Sequence, residues 1–74
     1  MNAKRIAKLV ALKHEGLSAE EILGPLRYPN IVRARWEAWS IAHKQGWTVA
    51  RIARAFKRDH RSIAYGLREL ERRS

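Results

Sequence analysis

Two apolar stripes at helical spacing, set either side of a short polar break, limit this chain most. Val49, Ile52, Ala53 and Phe56 fall at i, i+3, i+4 and i+7. Ile63, Leu67 and Leu70 resume the period beyond Lys57-Arg58-Asp59. Thr48 suits the N-cap of the first stripe. Asp59 suits that of the second, where its charge also complements the helix dipole. The spacing therefore predicts two short helices joined by a tight polar turn. Arg51, Arg54, Lys57, Arg58 and Arg61 crowd that turn, and no acid interrupts them before Asp59. A surface that only needs solubility mixes its signs, so a one-signed pair of this shape suggests a helix-turn-helix with its second helix in a DNA groove.

Composition narrows the alternatives. At 74 residues the chain makes one small domain, 1–74, with one core. It has no cysteine to form disulfides or thiolate metal sites. His14, His43 and His60 lack ligand spacing, so neither a metal nor a cofactor is expected. No paired carboxylates or nucleophile–base arrangement stand out, and the expectation is a non-enzyme with no small-molecule substrate. Sixteen Lys and Arg against seven Asp and Glu leave a formal charge of +9. Such self-repulsion usually accompanies polyanion binding. Arginine dominates, and a guanidinium grips phosphate or guanine through two parallel hydrogen bonds where lysine cannot. No apolar run approaches a membrane span of about 20 residues. Lys8 and Lys13 break the apolar start at helical intervals, which argues for an amphipathic helix rather than a signal peptide. The expected location is cytoplasmic, associated with the nucleoid.

Taken in order, a first helix is predicted over residues 2–14, with Ile6, Leu9, Val10, Ala3, Ala7 and Leu12 as its apolar face. Gly16 suits the turn that follows. Ser18 and Glu21 have the spacing of a capping box and open a short second helix ended by Gly24-Pro25. Residues 26–30 read as a loop in which Pro29 pushes Tyr28 towards extended backbone. A third helix is predicted over residues 31–44, buried along Ala34, Ala38, Ile41 and Ala42, with Trp39 at the core edge. Trp36 suits either the core or a patch for a protein partner. Gly66 inside the fifth helix implies close approach of a neighbouring helix or of DNA. The last residues are polar, suited to a fraying end or to a linker if this is the N-terminal domain of a longer protein.

Arg58-Asp59-His60-Arg61-Ser62-Ile63, preceded by Ile52-Ala53-Arg54-Ala55-Phe56, resembles the signature of the DnaA C-terminal DNA-binding domain, domain IV. That family reads I-G-x-x-F-G-G-R-D-H-T-T-V-x-x-A. Upstream, residues 32–38 (VRARWEA) look like its x-x-R-P-R-Q-x-A, and residues 16–23 (GLSAEEIL) like its G-V-x-x-x-D-L-L. The resemblance covers nearly the whole chain in the right order. It implies an all-α, small five-helix bundle with a helix-turn-helix of the Trp-repressor type. It implies further that the R-D-H helix enters the major groove of double-stranded DNA, that Arg27 matches the loop arginine entering the adjacent minor groove, and that Arg35 matches a phosphate-contacting arginine. The chain departs from the pattern at four places. Its turn, Phe56-Lys57-Arg58, is one residue shorter and more basic. Arg61-Ser62 stand for Thr-Thr, Trp36 stands for Gln, and the loop at residues 26–29 keeps a single arginine. An arginine able to read guanine thus replaces a threonine whose methyl contacts thymine. No G-x-x-x-x-G-K-[ST] phosphate loop exists, so the family's ATP-driven work is not encoded here.

The expected DNA-binding residues are Arg27, Arg33, Arg35, Arg54, Lys57, Arg58, Asp59, His60, Arg61, Ser62 and Tyr65. The leading expectation is sequence-specific double-stranded DNA binding as a transcription regulator, of the kind found in some phage and gene-transfer-agent regulators with a similar domain. Replication-origin or packaging-site recognition is the first alternative. The second is a basic helical module that docks on an acidic partner, such as RNA polymerase within the transcription machinery, through Trp36 and the first helix.

Overall fold

The computed structural model describes residues 1–73, and among them the chain is all-helical. Five helices follow in order: α1 (Ala3–Lys13), α2 (Ala19–Leu23), α3 (Pro29–Lys44), α4 (Val49–Phe56) and α5 (His60–Arg73). Local chemistry explains their ends. Asn2, Ser18 and Thr48 each accept, through the side chain, a hydrogen bond from the backbone N–H three residues on. Glu21 completes the capping box by accepting from the Ser18 N–H at 3.0 Å. The Asp59 carboxylate accepts from the Arg61 N–H at 3.2 Å. Gly16 takes a φ of +83° past the end of α1, as its place in the sequence requires.

Helix α3 starts at Pro29, two residues earlier than the pattern predicts. Proline is at home there, because the first helical N–H has no partner to lose and φ is preset. Tyr28 before it is extended, at φ −65° and ψ 140°.

All five helices contribute to one core, with Ile6, Ile22, Ala34, Ile52 and Ile63 fully buried. Helix α3 runs through its middle and packs most extensively on α5. Trp36, Trp39 and Trp47 all lie in this core. Trp39 is therefore inside rather than at the edge. Trp36, at 8% exposure, does not form a surface patch for a partner. The reason is Gly66. A Cβ there would lie 2.4 Å from Trp36 and 2.7 Å from Trp39, so the missing side chain lets α5 close over both indoles. The close approach implied by Gly66 is thus to α3.

The apolar face assigned to α1 is narrower than expected. Ile6, Ala7 and Val10 are buried, but Leu9 is 42% and Leu12 85% exposed. The core ends below them: at 100° per residue Leu12 points away from Ala3 and Ala7. No helix of the described residues is long and apolar enough to cross a membrane.

Candidate functional site

The turn between α4 and α5 is built without glycine. Lys57 adopts the left-handed conformation, φ 56° and ψ 50°. The Arg58 N–H bonds back to the Ala53 carbonyl at 2.8 Å and the Lys57 N–H to the Arg54 carbonyl at 3.4 Å. This pair of bonds is the Schellman pattern, which satisfies carbonyls that the helix end leaves open. It turns the chain within three residues, so α5 begins at His60 with Arg61 and Ser62 exposed in its first turn.

A second anchor holds this turn to the α2–α3 loop. The Arg35 guanidinium lies inside the protein at 5% exposure. Its Nε donates to the Ile22 carbonyl at 2.8 Å, and its Nη2 to the carbonyls of Gly24 at 2.7 Å and Leu26 at 2.9 Å. Arg58 Nη2 donates to the same Gly24 carbonyl. The C-terminal carbonyls of α2 and the loop after it are therefore closed by arginines from α3 and from the turn. Arg35 was expected to contact phosphate. The structure corrects this: the side chain is enclosed, because the short α2 ends with open carbonyls that only a long, multi-donor cation on α3 reaches. Burial, then the neighbouring charges of Arg58 and Arg27, lowers its pKa to about 10, which still leaves it charged at neutral pH.

Around this anchor lies an open cleft of about 350 Å³, bordered by Arg27, Arg58, Arg61, Ser62, Trp36 and Tyr65. The loop arginine and the start of α5 thus share one depression although 34 residues separate Arg27 from Arg61. Among the described residues that line it, none is acidic. Tyr65 is half exposed and meets Trp36 edge-on, at 6.0 Å between ring centres and 74° between planes. Arg54, Lys57, Arg58 and His60 border a second, shallower depression on the α4 side of the turn.

Two expected residues stand differently. Arg33 is exposed but pairs with Glu37 at 3.7 Å, one turn along α3. Glu37 also binds His14 Nε2 at 2.8 Å and so joins α3 to the end of α1. Asp59 is exposed and acts as the cap of α5. Outside the expected set, Arg51 lies 4.0 Å above the Trp47 ring, to one side of the turn. The sequence reading missed Val32, Trp36 and Trp39 as walls of the cleft. Their i, i+4 and i, i+3 spacing placed them on one face of α3 but did not say what that face meets. Among the described residues no group of three or more His, Asp or Glu is placed to hold a metal ion. Comparison of the chain with family models, with curated proteins and with solved structures finds no match.

Proposed function

We propose that this chain binds double-stranded DNA through α4 and α5, acting as a helix-turn-helix with α5 in the major groove and the Arg27 loop at the neighbouring minor groove. One observation carries the reading. Arg27, Arg58 and Arg61 line one cleft whose described lining holds no acidic residue, and Arg54, Lys57 and His60 border the depression on the other side of the turn, where the exposed acid is Asp59, the cap of α5. Clustered arginines facing solvent repel one another, and an extended polyanion is the partner that relieves this. Arg61 and Ser62 occupy the first turn of α5, the end of such a helix that meets the DNA. Arg27, Arg54 and Lys57 supply phosphate contacts, each adding close to one unit to the slope of log affinity against log salt. The resemblance to the DnaA domain IV pattern supports the same docking. Transcription regulation in the cytoplasm, at the nucleoid, is the favoured use, ahead of origin or packaging-site recognition.

Selection of bound duplexes from a random pool, followed by fluorescence anisotropy on the enriched sequence, tests this. A preference of a hundredfold or more over random duplex at physiological salt is expected. Equal affinity for both would remove the regulatory reading.

A second reading, docking on an acidic protein, is favoured by a different observation. Leu9 and Leu12 stand exposed on α1 among Arg5, Lys8 and Lys13. The two readings use opposite parts of the molecule. Replacing Arg27 and Arg61 would abolish function under the first, and replacing Leu9 and Leu12 under the second.

A further inference from the structure

The cleft between the Arg27 loop and the start of α5 combines three properties. It is lined by arginines from three separate segments, Arg27, Arg58 and Arg61. Ser62, Trp36 and Tyr65 also line it, and the two rings meet edge-on. Its floor is rigid, because Arg35 and Arg58 both donate to the Gly24 carbonyl.

We propose that this cleft is a seat for one phosphate group, held by the guanidinium groups of Arg27 and Arg61 and the Ser62 hydroxyl above the fixed pair Arg35 and Arg58. The chemistry selects phosphate among anions. Guanidinium forks match pairs of phosphate oxygens, and two forks with a hydroxyl supply donors around a tetrahedral group, more than a planar carboxylate accepts. The ring walls keep bulk water from one side and strengthen these charge-assisted bonds. A volume of about 350 Å³ exceeds a bare phosphate and leaves room for an attached sugar. The effect of Arg58 and Arg27 on the Arg35 pKa agrees with a local excess of positive charge that an anion would neutralise.

The group can come from the backbone of duplex DNA or from a free phosphate compound, and the proposal rests on the DNA-binding reading only for the first source. The seat also ties that reading together. A strand passing between the two grooves would place one phosphodiester between Arg27 and Arg61, so the loop and α5 would grip one linkage from both sides.

The experiment is an amide and arginine side-chain NMR titration of the whole chain with sodium pyrophosphate, against sodium chloride at equal ionic strength. Saturable shifts at Arg27, Arg61, Ser62 and the Trp36 indole are expected, with none at Arg5 or Lys8 on α1. Arg61→Ser should weaken pyrophosphate binding at least tenfold, while Arg5→Ser leaves it unchanged. Arg61 is exposed, so the fold is checked by the unchanged spectrum of the core. In a second arm, the selected duplex is synthesised with single neutral methylphosphonate linkages. One linkage per bound protein should cost about tenfold in affinity, and that loss should vanish in Arg61→Ser.

Saturation by pyrophosphate together with a sensitive linkage supports the seat with DNA as its source. Saturation with no duplex binding supports the seat for a free phosphate compound and overturns the DNA-binding reading. Shifts spread over all basic residues and scaling with ionic strength overturn the seat, as does a duplex whose single neutral linkages all cost the same. In either of those cases selective duplex binding would still stand.

Discussion

Helix α5 is held at two places by opposite means. At its middle it crosses α3, and shape decides the contact. Gly66 has no side chain, so the rings of Trp36 and Trp39 fill the space beside its backbone. At its start it hangs from a turn in which hydrogen bonds and charge decide. Lys57 adopts a left-handed backbone, Arg58 reaches the Gly24 carbonyl, and Arg35 holds that loop from below. The crossing fixes the axis of the helix, while the turn fixes where its first residues, Arg61 and Ser62, face solvent. The crossing should therefore carry stability. The turn should carry position, at the one end of the helix where the proposed DNA contacts lie.

Each region has a cost. Among the described residues the buried indole Nε1 of Trp39 has no hydrogen-bond partner, so the crossing trades a polar contact for close packing. The left-handed Lys57 is disfavoured for a residue with a Cβ, by roughly 1–2 kcal/mol. That conformation is what places a cation at the apex where glycine would serve the backbone better.

Substitutions at the two regions can break this division. The largest effect is expected for Arg35→Ala, which leaves several enclosed carbonyls unpaired. A loss of about 3 kcal/mol of unfolding free energy is expected from urea titration. Arg35→Lys should recover only part of it, because an ammonium cannot fork to several carbonyls. A loss below about 1 kcal/mol would mean that water replaces the guanidinium and that the anchor is not structural.

Next is Gly66→Ala at the crossing. Overpacking against two indoles costs about 1–3 kcal/mol, partly offset by about 1 kcal/mol of gained helix propensity. A lowered melting temperature is expected, together with changed tryptophan fluorescence and unchanged DNA affinity under conditions where the variant is folded. A large loss of affinity in the folded variant would show that the crossing also sets the position of Arg61.

Arg61→Ala should leave the melting temperature within about 1–2 °C, as for an exposed residue outside the core. It should weaken selected-duplex binding by about tenfold, nearly uniformly across sequences, and make the salt slope shallower by about one unit, as loss of a phosphate contact does. A preference relaxed at one position, with an unchanged salt slope, would reassign it to a base contact and count against the phosphate seat.

The smallest effect, and the sharpest test of the comparison, belongs to Lys57→Gly. Removing the strained Cβ should raise stability by a few tenths to about 1 kcal/mol, the strain being partly cancelled by the flexibility of glycine in the unfolded chain. The same change removes one cation and should reduce the salt slope by about one unit. Stability and affinity should therefore move in opposite directions, an outcome that no simple loss of folding produces.

The caps of α2 and α4 were readable from residues within one turn, because Ser18 and Thr48 act on N–H groups three positions away, whereas Asn2, read as the first residue of the first helix, caps it instead. The grouping of Arg54, Lys57, Arg58 and His60 was readable for the same reason. Arg35 was misjudged because the resemblance matched it to a phosphate-contacting arginine, and no neighbouring residue shows otherwise. Its partners are carbonyls 9 to 14 residues earlier in the chain, and nothing local marks them. Leu9 and Leu12 were misjudged because apolar periodicity shows that a face exists but not how wide a neighbour covers it.

By itself, then, the sequence determined five helices, most of their caps and a turn crowded with basic residues around the capping Asp59, since all of these follow from interactions within a few residues. Only the tertiary structure decided which arginines look outward. Packing α5 on the tryptophans of α3, with Gly66 between them, brings the start of α5 beside the α2–α3 loop. Arg35 is thereby enclosed as a structural cation, while Arg27 and Arg61 are left facing one open cleft. The physical reason is that a guanidinium serves equally well against carbonyls inside or phosphates outside, and distant contacts decide between them.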